Sequence, residues 1–167
     1  MTFRLRAAGL GDHAAMREVF ERAVAVTGRA RYSAPQVRAW IGERPTPSAW
    51  SARLAGLELR VAELPDADAG RPVLAGFVGI DGDGHVDLLF VAPGHGRRGI
   101  GAALLEEAIA HARAAGHGRV TTDASLVARP VFARRGLVEV GRQRVPRGGE
   151  VLVNVRMALD LDEPRGG

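Results

Sequence analysis

A strand, a glycine-rich loop and a helix follow one another between His85 and Gly116, and this stretch constrains the fold most strongly. The strand, His85 to Val91, is mostly Val, Leu and Phe, which is typical of a strand buried inside a sheet. Glycines then recur up to a helix with apolar residues at four-residue spacing. We interpret the loop as a diphosphate cradle, because the first turn of a helix presents unbonded N–H groups and the positive end of its dipole.

Two other nucleotide-binding patterns fit this loop less well. A triphosphate P-loop needs a Lys and a Ser or Thr after its last glycine, and the chain contains no lysine. A dinucleotide fingerprint requires an acidic residue about 20 residues further on, within a continuing parallel α/β pattern. Asp123 lies near that position, but nothing after it continues such a pattern.

The loop sequence matches a family pattern. The order Arg-Arg-Gly-Ile-Gly-Ala, preceded by Val-Ala-Pro, resembles the acetyl-coenzyme-A motif of the GNAT superfamily of acyltransferases, Gln/Arg-x-x-Gly-x-Gly/Ala. Gly96 stands where that family usually has Gln or Arg, so only backbone contacts are expected there. The stretch from Ser125 to Leu137 resembles the superfamily's Asn/Ser-x-x-Ala-x-x-x-Tyr-x-x-x-Gly-Phe helix, with Phe132 at the Tyr position. The stretch from Tyr32 to Trp40 resembles the substrate-side helix of a bacterial subgroup with Tyr-Ser-x-x-Gln.

The order of predicted elements agrees with this resemblance. It reads strand, two helices and a possible third, three antiparallel strands, helix, strand, a short helix over Leu126 to Arg135, and a closing hairpin. The resemblance therefore implies a single α/β domain, GNAT-like, with a mixed, mostly antiparallel central sheet flanked by helices. We expect residues 1–160 to form the acyl-CoA N-acyltransferase domain and residues 161–167 to be a frayed tail.

The resemblance implies acetyl-CoA as co-substrate. Its pantetheine arm would pair like an extra strand with Leu89 to Val91, and an amide near Val91 would donate to the thioester carbonyl. The side chain at the family's Tyr position often assists thiolate departure, and Phe132 cannot do so. The residues expected at the coenzyme are Leu89, Phe90, Val91, Gly96, Arg97, Arg98, Gly99, Ile100, Gly101, Ala102, Ser125 and Phe132.

Acyl transfer to an amine also needs a base, because an ammonium of pKa about 10 must lose a proton. Asp87 is the first choice, and the period of a strand places it on the same face as His85, the second choice. Ser125 could donate a hydrogen bond to the leaving thiolate or only cap a helix. We expect Tyr32 and Trp40 to line the acceptor pocket. With no cysteine, a cysteinyl intermediate is excluded and direct transfer is expected.

Composition narrows the remaining possibilities. The net charge of +4 comes from 23 arginines against 19 acids, and the arginines are scattered while aromatic residues make up only 5%. A nucleic-acid-associated protein is therefore the third hypothesis, after the acetyltransferase and a coenzyme-A-binding sensor or interaction protein without turnover. We expect a cytoplasmic monomer or homodimer that acts on a small-molecule or peptide amine, with no membrane segment. The five histidines show no metal-ligand spacing, so no metal is expected.

Overall fold

A mixed sheet forms the centre of the computed structural model, which describes residues 2–66, 68 and 70–161. Within those residues the sheet has seven strands in the order β1-β2-β3-β4-β5-β7-β6, and every neighbouring pair is antiparallel except β4 with β5. The strands are β1 (Arg4–Ala7), β2 (Glu58–Leu64), β3 (Val73–Ile80), β4 (His85–Val91), β5 (Arg119–Ser125), β6 (Val138–Arg147) and β7 (Glu150–Asp160).

Helices cover both faces of the sheet. They are α1 (His13–Val26), α2 (Ala34–Ile41), α3 (Pro47–Leu54), α4 (Ile100–Ala114) and α5 (Arg129–Arg134), with short 3-10 turns at Leu10–Asp12 and Thr27–Ala30. Alternate side chains of each strand enter opposite layers of the core, as the two-residue period of a strand requires. Val61 and Phe77 pack with the α1 to α3 layer, whereas Ala62 and Val78 pack with the α4 layer.

Local sequence signals account for the starts of the two short N-terminal helices. Ser33 accepts a hydrogen bond from the Gln36 amide while the Gln36 side chain accepts from the Ser33 amide, which forms a capping box for α2. Thr46 caps α3 in the same position and is followed by Pro47 in the first turn. These caps fix where α2 and α3 begin, and both helices pack in the same layer as α1.

The only parallel pairing among the described strands is also the shortest one. β4 and β5 are paired only at His85 with Thr121 and at Val86 with Thr122. Beyond these two pairs the strands diverge, so the edge of β4 that faces β5 is open from Asp87 onward. The opening divides the sheet into one part with β1 to β4 and another with β5 to β7, with a cleft between them.

The predicted fold class is confirmed, since the sheet is mixed, mostly antiparallel and flanked by helices. Two boundaries differ. The helix predicted over Leu126 to Arg135 is confined to Arg129–Arg134, because Ser125 Oγ instead accepts the Ala128 amide in a turn. Leu161, predicted to begin a frayed tail, is buried and donates its amide to the Gly118 carbonyl, while residues 162–167 lie outside the described part of the chain.

Candidate active site

Two cavities meet where β4 and β5 diverge. The cofactor-side cavity, of about 240 Å³, is bordered by the loop before α4, and the acceptor-side cavity, of about 650 Å³, is bordered by α1, α2, α3 and the strands β4 to β7. Both cavities are lined by the same five residues at their junction: Trp40, Leu89, Phe90, Ser125 and Ala128. A group that spans this junction would be reached from both cavities.

The N-terminus of α4 forms the floor of the cofactor-side cavity. Gly99 has a φ of 77°, a left-handed conformation that favours glycine, and Arg97 has a φ of 62°. The Ala103 amide is the first of the helix to be bonded internally, to the Gly99 carbonyl at 2.9 Å. The amides of Ile100, Gly101 and Ala102 therefore have no intrahelical partner, and they face a cavity lined by those same residues.

This geometry fits a diphosphate. The unbonded amides and the helix dipole favour an anion, and Arg97 adds a formal positive charge at the cavity. Most residues predicted at the coenzyme line this cavity: Leu89, Phe90, Val91, Gly96, Arg97, Gly99, Ile100, Gly101, Ala102 and Ser125. Arg98 and Phe132 do not line it.

His95 belongs to the same cavity, although the sequence reasoning did not select it. Its Nδ1 is enclosed and makes no hydrogen bond with the described residues. Burial, and then the charges of Arg98 and Arg22, hold the pKa of His95 below its ordinary value, so the imidazole is neutral near pH 7. An aromatic-sized side chain in a glycine-rich loop was the one available signal for it.

Asp87 lines the acceptor-side cavity and is ion-paired. Arg53, on α3, approaches Asp87 Oδ2 with Nη1 at 2.7 Å. The closest contact of this pair uses Oδ2, which leaves Oδ1 as the carboxylate oxygen that a second donor would approach. The sequence reasoning missed Arg53, because nothing in the helical pattern of α3 indicates a partner on a distant strand.

His85 lines the same cavity and belongs to a different group of side chains. Its Nδ1 lies 2.8 Å from Thr121 Oγ1, and its Nε2 lies 3.7 Å from Asp123 Oδ2. Asp123 is held in turn by Gln143 Nε2 at 2.8 Å and Arg156 Nε at 3.4 Å. The structure therefore brings the two predicted bases to one cavity, each beside its own ionic partner.

Ser125 and Phe132 take different positions from each other. Ser125 lies at the junction, where its Oγ accepts the Ala128 amide at 3.0 Å and keeps its O–H free to donate. Phe132, at the position of the family's Tyr, is 2% exposed, packs in the α4 layer of the core and borders the acceptor-side cavity. A phenyl ring has no ionisable hydrogen, so Phe132 cannot act as an acid. Among the five residues at the junction, Ser125 is the one that carries a hydroxyl group.

Tyr32 and Trp40 both line the acceptor-side cavity, and Tyr32 also ties α2 to the open sheet. Its hydroxyl donates to the Val153 carbonyl at 2.6 Å and accepts the Leu126 amide at 3.0 Å. Gln36 donates to the Val151 carbonyl at 2.9 Å. Because β5 ends at Ser125 opposite Asn154, these carbonyls of β7 lie beyond its reach, and the side chains of Tyr32, just before α2, and Gln36, within α2, replace the missing strand.

Metal-ligand clusters and membrane-spanning helices are both absent from the described residues. No group of three or more His, Cys, Asp or Glu side chains there could hold a metal ion. No helix in the same ranges is both long and apolar enough to cross a membrane.

Comparison with known proteins identifies the family. Residues 29–161 match the acetyltransferase (GNAT) domain family. YafP of Escherichia coli (strain K12), an uncharacterized N-acetyltransferase, is 34% identical over 147 residues, which cover 88% of this chain and 89% of YafP.

Solved structures agree with that match. A GCN5-related N-acetyltransferase from Rhodopseudomonas palustris superimposes with a TM-score of 0.86 at 32% identity, covering 96% of this chain and 97% of the other. At the level of fold alone, yncA of Salmonella typhimurium, solved with acetyl-CoA, gives a TM-score of 0.70 at 22% identity over 100% of this chain and 98% of yncA. The matched family and these relatives agree, and the chain is an enzyme of the GNAT acetyltransferase family.

Proposed function

We propose that this enzyme moves an acetyl group directly from acetyl-CoA to a primary amine of a small molecule or peptide, with residues 1–160 acting as one acyltransferase domain. The observation that carries the proposal is the shared wall between the two cavities. A donor held at the α4 amides and an acceptor held between α1, α3 and the strands would meet at Leu89, Phe90 and Ser125.

The cofactor-side residues supply binding and orientation. When bound, acetyl-CoA provides an acetyl thioester whose carbon can be attacked by an amine. The amides of Ile100 to Ala102 and the guanidinium of Arg97 would hold its diphosphate. The open edge of β4 at Leu89 to Val91 would hold the pantetheine amides, as a neighbouring strand would.

Asp87 is the proposed base. The amine nitrogen forms the new C–N bond, the C–S bond breaks, and the proton that nitrogen loses passes to Asp87 Oδ1 directly or through water. Ser125 donates its free O–H toward the departing sulfur. A thiol pKa near 8.5 makes that thiolate a tolerable leaving group, so a strong acid at the position of Phe132 is not required.

Release of free coenzyme A tests this proposal. The protein is incubated with acetyl-CoA and a panel of polyamines, aminoglycosides, amino acids and peptides, and thiol formation is followed with a thiol reagent. The chain has no cysteine, so the protein itself contributes no signal. We expect release that depends on one class of amine.

The other outcomes separate the competing hypotheses. Acetyl-CoA that binds without release for any amine would favour a coenzyme-A sensor. A failure to bind acetyl-CoA at all would contradict the assignment of the α4 cavity. Oligonucleotide affinity that falls steeply with salt would indicate the nucleic-acid hypothesis instead.

A further inference from the structure

Arg17 is a buried cation that the proposed chemistry does not use. It lies on α1, is only 8% exposed, and borders the acceptor-side cavity. Its Nε donates to Glu21 Oε1 at 2.8 Å, and its Nη2 donates to the Ile41 carbonyl at 3.1 Å. A guanidinium carries five N–H donors, so these two bonds leave three without a protein acceptor among the described residues.

The free donors of Arg17 are accessible from the cavity. Nη1 makes no hydrogen bond with the described residues. It is not fully buried either, so part of its surface stays exposed. Leaving donors of a buried cation unpaired is costly, which makes an anion that fills them a favourable partner. An anionic ligand in the cavity can therefore supply acceptors that the protein itself does not provide to Arg17.

Two aromatic rings hold the Arg17 guanidinium in place, and the carboxylate that pairs with it is shared with a second arginine. Its carbon lies 4.8 Å from the Phe20 ring centroid and 5.3 Å from that of Trp50, so the side chain is fixed against two aromatic faces. Glu21 is shared with Arg44, whose Nε is 3.5 Å away, and one carboxylate therefore serves two arginines. Glu43 also borders the cavity, but it is exposed, where water and salt screen its charge.

Arg17 and the candidate base Asp87 border the same cavity. Arg17 stacks on Trp50, and Asp87 pairs with Arg53, which follows Trp50 by three residues on α3. Residues three apart on a helix lie on one face, with their Cβ atoms about 5–6 Å apart. Because Arg17 and Asp87 both line this cavity, an amino group near Asp87 and an anionic group near Arg17 can belong to the same acceptor.

We propose that Arg17 forms a carboxylate-binding subsite and that the acceptor is an amino acid with an apolar or aromatic side chain. A planar guanidinium matches a carboxylate in a two-bonded arrangement, and the aromatic wall of Phe20, Trp50 and Phe90 suits an apolar side chain. This inference rests on the proposed acetyl transfer and defines the acceptor class for it.

The test compares pairs of amines that differ only in the carboxylate. Coenzyme A release is measured with phenylalanine and with phenethylamine, using wild-type protein and the variants Arg17→Gln, Arg17→Lys and Arg44→Gln. We expect kcat/KM to favour phenylalanine by about 10-fold or more in the wild type, the range of a hydrogen bond to a charged group. The ratio of kcat/KM for phenylalanine to that for phenethylamine should fall toward one in Arg17→Gln and be partly kept in Arg17→Lys.

Arg44→Gln is the matched control, because it removes the other arginine on Glu21 without touching the cavity lining. It should keep the wild-type preference. Equal turnover of the two amines by wild-type protein would overturn the subsite and leave acetyl transfer standing, and this result needs no variant to fold.

A second measurement does not depend on turnover. Binding of N-acetylphenylalanine and of N-acetylphenethylamine to the wild-type protein with coenzyme A is measured by calorimetry. Tighter binding of N-acetylphenylalanine than of N-acetylphenethylamine, with the difference lost in Arg17→Gln, would support the subsite. This holds even if no amine released coenzyme A and the proposed function failed. Equal binding of the two products would overturn the subsite.

Discussion

Asp87 and His85 border one cavity as competing bases, and single substitutions separate them. Asp87→Asn keeps the shape of the side chain and removes its basicity, so amine-dependent turnover should fall by about 10²-fold or more. His85→Gln is the paired variant, measured in the same coenzyme A release assay. Unchanged turnover in Asp87→Asn together with a large loss in His85→Gln would transfer the role to the histidine beside Asp123.

His95 gives a prediction about stability and pH. Its pKa is lowered in the folded protein, first by burial and then by Arg98 and Arg22. The unfolded chain therefore binds the proton more readily, and stability is lost as the pH falls below about 6.5 but not above it. Melting temperatures at about pH 7.5 and about pH 5 should differ less in His95→Gln than in wild type. The exposed His111, changed to Gln, should leave the difference as it is in wild type.

At the scale of elements, Tyr32, which precedes α2, and Gln36, within α2, join this segment to the uncovered part of β7. Tyr32→Phe keeps the ring contact with Trp40 but leaves the Val153 carbonyl and the Leu126 amide unpaired. The free energy of unfolding, measured in denaturant, should fall by about 1–3 kcal/mol.

The control for this change is Thr46→Ala, which removes the α3 cap at a cost of about 1 kcal/mol and leaves the sheet edge intact. Because Leu126 follows Ser125 directly, Tyr32→Phe should also weaken turnover beyond what Thr46→Ala does. Equal effects of the two variants on turnover would contradict a positioning role for Tyr32.

Gly101 separates the requirements of the α4 helix from those of the ligand. A Cβ there would meet Val91 at 3.5 Å and Val131 at 3.7 Å, which is ordinary contact. Gly101→Ala should therefore keep or raise the melting temperature, since Ala is favoured over Gly within a helix by about 0.5–1 kcal/mol. Coenzyme A affinity, measured by calorimetry, should nevertheless fall about tenfold, because the added methyl group would border the cavity proposed for the diphosphate. Unchanged affinity would contradict the placement of the diphosphate.

At the scale of the molecule, the part of the sheet with β1 to β4 packs closely against α4 at Gly76 of β3. A Cβ at Gly76 would lie 2.8 Å from the Phe90 carbonyl and 3.1 Å from Leu104. Gly76→Ala should destabilise the whole fold by about 1–3 kcal/mol, the usual cost of overpacking, and lower the midpoint of denaturant unfolding. It should also reduce coenzyme A binding in proportion to the unfolded fraction, unlike Gly101→Ala. A variant as stable as the wild type would show that the strands can move apart here.

Much of the fold could be predicted because its signals are local. Strand alternation, the caps at Ser33 and Thr46, and the glycine-rich entry to α4 each depend on residues a few positions apart. The candidate site was less accessible to prediction. Arg17 reads as one more polar residue of an amphipathic helix, and only packing against Phe20 and Trp50 shows that it is buried.

The sequence by itself determined the layout of elements, the glycine-rich entry to α4 and the types of residue available for catalysis, because backbone conformation and side-chain chemistry are set within short segments. The tertiary structure decided which of those residues meet. The divergence of β4 and β5 left the edge of β4 open, the packing of α3 on the sheet paired Asp87 with Arg53, and Tyr32 gained the Val153 carbonyl of β7 as a partner. Such contacts join segments far apart in the chain, and their geometry depends on how both helical layers pack on the sheet.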